Sequence, residues 1–257
     1  TTLKTELEDL YLPYKPKKRT RATIAREKGL EPFAEKIKEY NQFNYDDLNL
    51  ELEAEKYISS ENDLNSVEEV IRGASDIIAE EISERAEFRA WIRNHLSQNG
   101  VFTTKVKKDF DEGTTKYEMY RDFQVEVTEI KAHNMLAMRR GEKEGILSID
   151  LKIDEEFILQ YLEKFILLSD KFNIINFYRN AIKDSFNRLM KHSIIGEIRL
   201  AKKKQADEES INVFEKNLRN LLLSAPAGDK RVLAIDPGFR TGCKVVVIDE
   251  TGKFITN

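Results

Sequence analysis

Apolar residues recur at helical spacing through most of the chain and give way to clustered, β-branched runs near its end. Residues 2–10 place Leu3, Leu7 and Leu10 on one helical face and stop at Pro13, which cannot continue a helix. Thr20 is predicted to cap a short helix over 21–28 that ends at Gly29, and Pro32 opens the next one, over 33–40. Residues 48–58 are amphipathic. Ser66 then stands as a cap, with Glu69 at the capping-box position, for a helix that runs past Gly73 to Glu84. A further helix, 86–98, carries Trp91 and closes at Asn99-Gly100.

The helical period weakens over 101–130, where Val101, Phe102, Val106 and residues 124–128 cluster or alternate as short strands do, around an Asp111-Glu112-Gly113 turn. Helix returns over 132–144, Gly145 ends it, and residues 146–151 alternate like a half-buried strand. From Asp154 the pattern is helical again. Phe157, Tyr161, Phe165 and Leu168 form one stripe and Ile175, Tyr178, Ile182, Phe186 and Leu189 another, so both, with Trp91, are expected in the core. A third helix, 208–223, ends at residues 224–228, which have the composition of a linker. The runs 232–235 and 245–248 read as strands buried on both faces, and a turn at 250–253 leads to a third strand at Phe254. The fold class is therefore mainly α, a multi-helix scaffold with a small β element, followed by a β-meander.

Composition narrows what such a scaffold does. The chain has 257 residues, 40% hydrophobic and 34% charged, with 11 Gly and 5 Pro, too apolar for disorder and too poor in turn residues for a β-sandwich. One cysteine, Cys243, and three His assemble neither an internal disulfide nor a Cys/His zinc site. A mean hydropathy of −0.54 fits no membrane partner, and a cytoplasmic location is expected. The first residue is Thr, and residues 254–257 resemble the opening of a strand, so a fragment of a longer protein is expected.

Net charge is −4, but it is unevenly spread. Residues 15–28 hold seven basic residues against Glu27, whereas 46–90 hold four against fourteen acids, an asymmetry that orients a polyanion. Lys15, Lys17, Lys18, Arg19 and Arg21 flank Tyr14 and two prolines, and a stiffened basic loop presents charge to phosphates at reduced entropic cost. The competing reading pairs this loop with the acidic segment. Arg199, Lys202, Lys203 and Lys204 are explained as cations at the negative end of a helix dipole. His133, with Arg139 and Arg140 one and two turns on, has the look of a phosphate site, since His133 and Arg140 share a helical face, but a lone His there reads as a cap or core residue.

Asp236 follows the first C-terminal strand, and Pro237-Gly238 is expected to stop the ladder beside it. Such a carboxylate either caps its own turn or begins a metal site, for which one Asp is too few. The stretch LAIDPGFRTGCKVVVIDETGK resembles the opening of the YqgF, or resolvase-like, branch of the ribonuclease H superfamily. EDLYLPYKPKKRTRATIAREKGLEP is similar to a signature stretch of the Tex family of bacterial transcription accessory proteins. KAHNMLAMRRGEKEGIL resembles a further Tex segment, with Ala132-His133-Asn134 where the family usually has Ser-His-Arg.

The resemblance implies a helical scaffold over 1–226 and a truncated start of a YqgF, RNase H-like α/β domain over 229–257. It further implies binding to nucleic acid, RNA or DNA, association with the transcription machinery, and companion helix-turn-helix, helix-hairpin-helix and S1 RNA-binding domains. No cofactor and no small-molecule substrate are expected. The alternative is a metal-dependent nuclease with Asp236 as first acid and a divalent ion such as Mg, an activity the family is not generally credited with. An actin-like ATPase fits less well, because Phe239 and Arg240 stand where small hydroxyl residues are usual, and a pure scaffold for neighbouring domains is the remaining reading.

Overall fold

Side-chain caps at Thr20, Asn49, Ser66 and Asp154 start four of the helices in the computed structural model, which describes the chain except residues 1–3, 17, 44, 46–47, 226–227 and 239–241. Helix α1 (Lys4–Tyr11) passes into a single tight turn over Leu12–Tyr14. Its leucines do not face the core as their spacing suggested: Leu7 and Leu10 are exposed, and the buried residue is Asp9. Two arginines account for this inversion, as set out below. Thr20 caps α2 (Arg21–Glu27) by accepting from the Thr23 N–H at 3.0 Å. Gly29, at φ +82°, closes the helix: its N–H bonds to Arg26 O and that of Leu30 to Ala25 O, the paired bonds of a Schellman turn.

Helix α3 (Glu31–Gln42) opens with Pro32 in its first turn, and Asn49 caps α4 (Leu50–Glu55), shorter than the amphipathic stretch implied. Ser66 caps α5 (Val67–Glu84) through the Glu69 N–H, and the Glu69 carboxylate accepts in return from the Asn65 N–H at 2.8 Å. The α5 helix is the spine of the core, burying Val70, Ala74, Ile77 and Ile78 with Leu30, Phe33 and Ile37. It passes Gly73 without a break, and the missing side chain makes room for Leu30, whose Cδ1 would lie 2.3 Å from a Cβ there.

After α6 (Ala86–Asn99), strand β1 (Val101–Val106) takes the centre of an antiparallel sheet, with β2 (Gln124–Glu126) on one side and β3 (Leu147–Lys152) on the other. Phe102 pairs with both Val125 and Leu151. Alternation in β3 buries Leu147, Ile149 and Leu151 and leaves Ser148, Asp150 and Lys152 outside. Helix α7 (Ala132–Lys143) lies between β2 and β3 in sequence and packs Gly141 against Leu147.

Asp154 caps α8 (Glu155–Ile166), and α9 (Phe172–Asp184) follows. One widened π turn over Ser185–Met190 joins α9 to α10 (Lys191–Leu222). The side chain of Asn41 in α3 pins the end of α8, donating to Ile166 O at 2.8 Å and accepting from the Leu168 and Ser169 N–H groups. Tyr178, Ile182 and Phe186 of the predicted second stripe are buried.

Two compact units divide the chain at Glu208/Glu209. The second holds the end of α10 and an antiparallel meander of β4 (Val232–Gly238), β5 (Gly242–Ile248) and β6 (Phe254–Thr256). Asp249 shapes the turn before β6 by accepting from the N–H groups of Thr251 and Lys253. The expected burial of these strands on both faces is not found: all of β4 and β6 and most of β5 are exposed. A three-stranded sheet buries a face only when another layer covers it, and the end of α10 in this unit is itself exposed.

Candidate nucleic-acid interface

The basic stretch is held between the turn after α1 and the Thr20 cap of α2, so its direction is set by two short, hydrogen-bonded elements. Lys15, Lys18 and Arg21 are exposed, and Lys17 lies outside the described residues. Among the described residues neither the Lys15 nor the Lys18 side chain makes an ion pair. Arg19 is paired with Glu27 at 2.8 Å, both exposed. The acidic segment reaches further along, where Arg26 bonds Glu31, Glu80 and Glu81, and Lys28 bonds Asp63. Burial works against the Arg26 charge, but the Glu80 and neighbouring carboxylates outweigh it and raise its pKa. Intramolecular pairing thus consumes Arg19, Arg26 and Lys28 and leaves Lys15, Lys18 and Arg21 facing solvent.

A second basic surface joins Arg139 and Arg140, which the sequence offers as a phosphate site only together with His133, to cations of the 199–204 run. Arg199, Lys202, Lys203 and Lys204 do not sit at a helix end, because α10 continues to Leu222, so the dipole account of them fails. Arg199 instead reaches across to Glu142 of α7, which also binds Arg139 at 2.6 Å. Arg139, Arg140, Lys143 and Lys203, with Leu136 and Glu142, line a cleft of about 520 Å³ between α7 and α10. His133 is exposed at the other end of α7 and does not line it. Basic residues at spacings of three and four in both segments were the available signal. Their meeting is tertiary, and no periodicity predicts it.

Asp236 does not end its strand. β4 pairs through Asp236↔Lys244, Pro237↔Cys243 and Gly238↔Gly242. Proline is tolerated there because β4 is an edge strand, where an absent N–H can face away from the partner. Among the described residues no group of three metal-ligating side chains includes Asp236, so the residues present do not fit a two-metal site. The acids that do cluster, Glu31, Glu35 and Glu81, are each bonded to Arg26 or Lys38, which makes them part of an ion-pair network.

The aromatic stripe of α8 also departs from expectation. Phe157 and Phe165 are about half exposed and Leu168 more so, while Ile158, Leu162 and Ile166 form the buried face. Trp91 stacks on Tyr161 with ring centroids 3.4 Å apart and planes within 4°, and also lies near-parallel to His95 at 5.1 Å, which meets Phe157 at 5.0 Å. The stack closes the seam between α6 and α8 from the outside.

Comparison with known proteins supplies the context for these surfaces. A family model described as Tex central region-like matches residues 46–214, and one described as a Tex protein YqgF-like domain matches 230–257. The Bacillus subtilis protein YdcI is 42% identical over 251 residues, covering 97% of this chain and 34% of that protein. The transcriptional accessory protein Tex of Neisseria gonorrhoeae is 34% identical over 98% of this chain and 33% of its own length. Human S1 RNA-binding domain-containing protein 1 is 28% identical over 97% of the chain. The chain spans about one third of the length of its bacterial relatives. With its central helices and its C-terminal meander both matched, and the first model covering more than half of its length, the chain belongs to the Tex family.

Proposed function

We propose that this chain is the helical scaffold of a cytoplasmic, nucleic-acid-binding transcription accessory protein, and that its loop of residues 15–21 contacts phosphates. The observation that carries this reading is the set of exposed cations Lys15, Lys18 and Arg21, none of them in an ion pair within 4 Å among the described residues, presented beside a capped helix. The names of the Neisseria and human relatives support the same class of ligand. The scaffold extends over residues 1–226, and 229–257 begin the YqgF, RNase H-like domain. This reading needs no cofactor, and for the nuclease alternative Asp236 belongs to no group of three metal-ligating side chains among the described residues. The transcription machinery is the protein partner of this reading.

The test is fluorescence anisotropy of a labelled single-stranded RNA, and of a DNA duplex, against the chain at several salt concentrations. Each phosphate contact to a single strand contributes about −0.7 to the slope of log K against log salt, so Lys15→Ala/Lys18→Ala/Arg21→Ala should flatten it by about 2. Absence of binding at tens of micromolar by the unaltered chain would refute the reading.

A further inference from the structure

The geometry points to a second phosphate-binding site in this chain, the cleft between α7 and α10, which takes the phosphodiester backbone of a bound nucleic acid strand. The inference rests on the nucleic-acid reading above and adds a site separate from the loop of residues 15–21. Four cations, Arg139, Arg140, Lys143 and Lys203, line the cleft against one carboxylate, Glu142. That carboxylate is already shared between Arg139 and Arg199, and Lys203 is held by Asp207. Arg140 and Lys143 make no ion pair within 4 Å among the described residues and are exposed where they line the cleft, although Arg140, after the stronger effect of Lys116, helps hold the Glu144 carboxyl below its usual range.

Like charges gathered on two helices repel one another, so a cleft of this kind is stabilised when an anion enters it. The C-terminal dipole of α7 accounts for Arg140 and Lys143 standing in its last turn. It does not account for Lys203 and Arg199, which arrive from the middle of another helix and face the same cleft or its Glu142 wall. The Nε of Arg199 is buried and has no hydrogen-bond partner, leaving an unused donor beside the Glu142 wall. A width set by two helices and a volume of about 520 Å³ admit a phosphate with its flanking sugars, and Leu136 supplies an apolar floor for a sugar. Two of the four cations are arginines, whose planar forks match phosphate oxygens two at a time.

The experiment compares the unaltered chain with Arg140→Ala/Lys143→Ala and with Arg140→Glu/Lys143→Glu, measuring anisotropy of a labelled twelve-nucleotide oligouridylate across a salt series. Both side chains are exposed, so circular dichroism should show the same fold and melting temperature in all three proteins. The alanine pair is expected to flatten the salt slope by about 1.4, two contacts at about 0.7 each, and the glutamate pair to weaken binding further. An unchanged slope in both variants, with the unaltered chain binding normally, overturns the cleft and leaves the loop reading intact. Failure of the unaltered chain to bind overturns the nucleic-acid reading itself, and the cleft with it. If an oligoglutamate of equal charge binds as tightly and is lost in the same variants, the cleft belongs to an acidic protein segment and the proposal falls.

Discussion

Asp9 and Arg89, eighty residues apart, meet at 2.7 Å with both side chains more than nine-tenths buried. The other Asp9 oxygen binds Arg93 at 2.7 Å, and Glu197 closes the square by bonding both arginines, with Ser193 adding a hydroxyl to Arg89. This network explains why α1 turns its leucines outward, since two buried guanidinium groups cost more to leave without a carboxylate than two leucines cost to expose. Removing Asp9 leaves both arginines short of a counter-charge. Asp9→Ala should destabilise the first unit by about 3–5 kcal/mol, read as a lower urea midpoint, and Asp9→Asn by less because it still accepts a hydrogen bond.

Two glycines in helices should respond oppositely to the same change. At Gly141 a Cβ would lie 2.6 Å from Leu147 Cδ1 and 2.8 Å from its Cγ, and Leu147 is fully buried. At Gly196 nothing lies within 4 Å. Gly196→Ala should therefore stabilise by about 0.5–1 kcal/mol through helix propensity, whereas Gly141→Ala should lose about 1–2 kcal/mol to overpacking. Thermal melts of the two variants decide the point.

Neighbouring residues on α8 separate its two faces. Ile166→Ala removes a buried side chain and should cost about 2–5 kcal/mol, while Phe165→Ala, at a half-exposed ring that meets Tyr161 and the Lys164 ammonium, should cost about 1 kcal/mol. Equal losses in chemical denaturation would return the aromatic stripe to the core.

Glu118 provides a pH marker in the loop between β1 and β2. The Arg121 guanidinium holds its carboxyl down to about 2, helped by the Thr115 hydroxyl and N–H. A folded-state pKa below the ordinary carboxylate value of about 4.3 stabilises the loop above that pH, and the contribution is lost as pH falls toward 2. Carbonyl NMR should place the Glu118 midpoint near 2, and Arg121→Ala should raise it.

Local chemistry was legible in the sequence because it depends on neighbours in the chain. Thr20, Gly29, Ser66 and Glu69 announced their helix ends, and residues 250–253 announced a turn. What failed was the choice between faces. In α8 the sets Phe157/Tyr161/Phe165 and Ile158/Leu162/Ile166 have identical spacing, and only packing against α9 and the Trp91 stack distinguishes them. The basic loop was visible as a run of charge, but that Glu27 would neutralise Arg19 depends on how the loop turns back over α2. Arg199 and Lys203 were visible as well, yet their role was misassigned because no residue signals that α10 continues through 204–208.

The β4–β5–β6 meander carries a further physical consequence. Its outer strands each present a row of ladder groups to solvent, flanked by Leu233, Ile235 and Ile255 on open faces. Such an edge is a template: any extended segment of matching register can continue the hydrogen-bond ladder, and Pro237 blocks this only at one end of β4. Covering these edges within one molecule and pairing them with a strand of another are therefore competing reactions, so the concentration of free chain decides how far the ladder is extended between molecules.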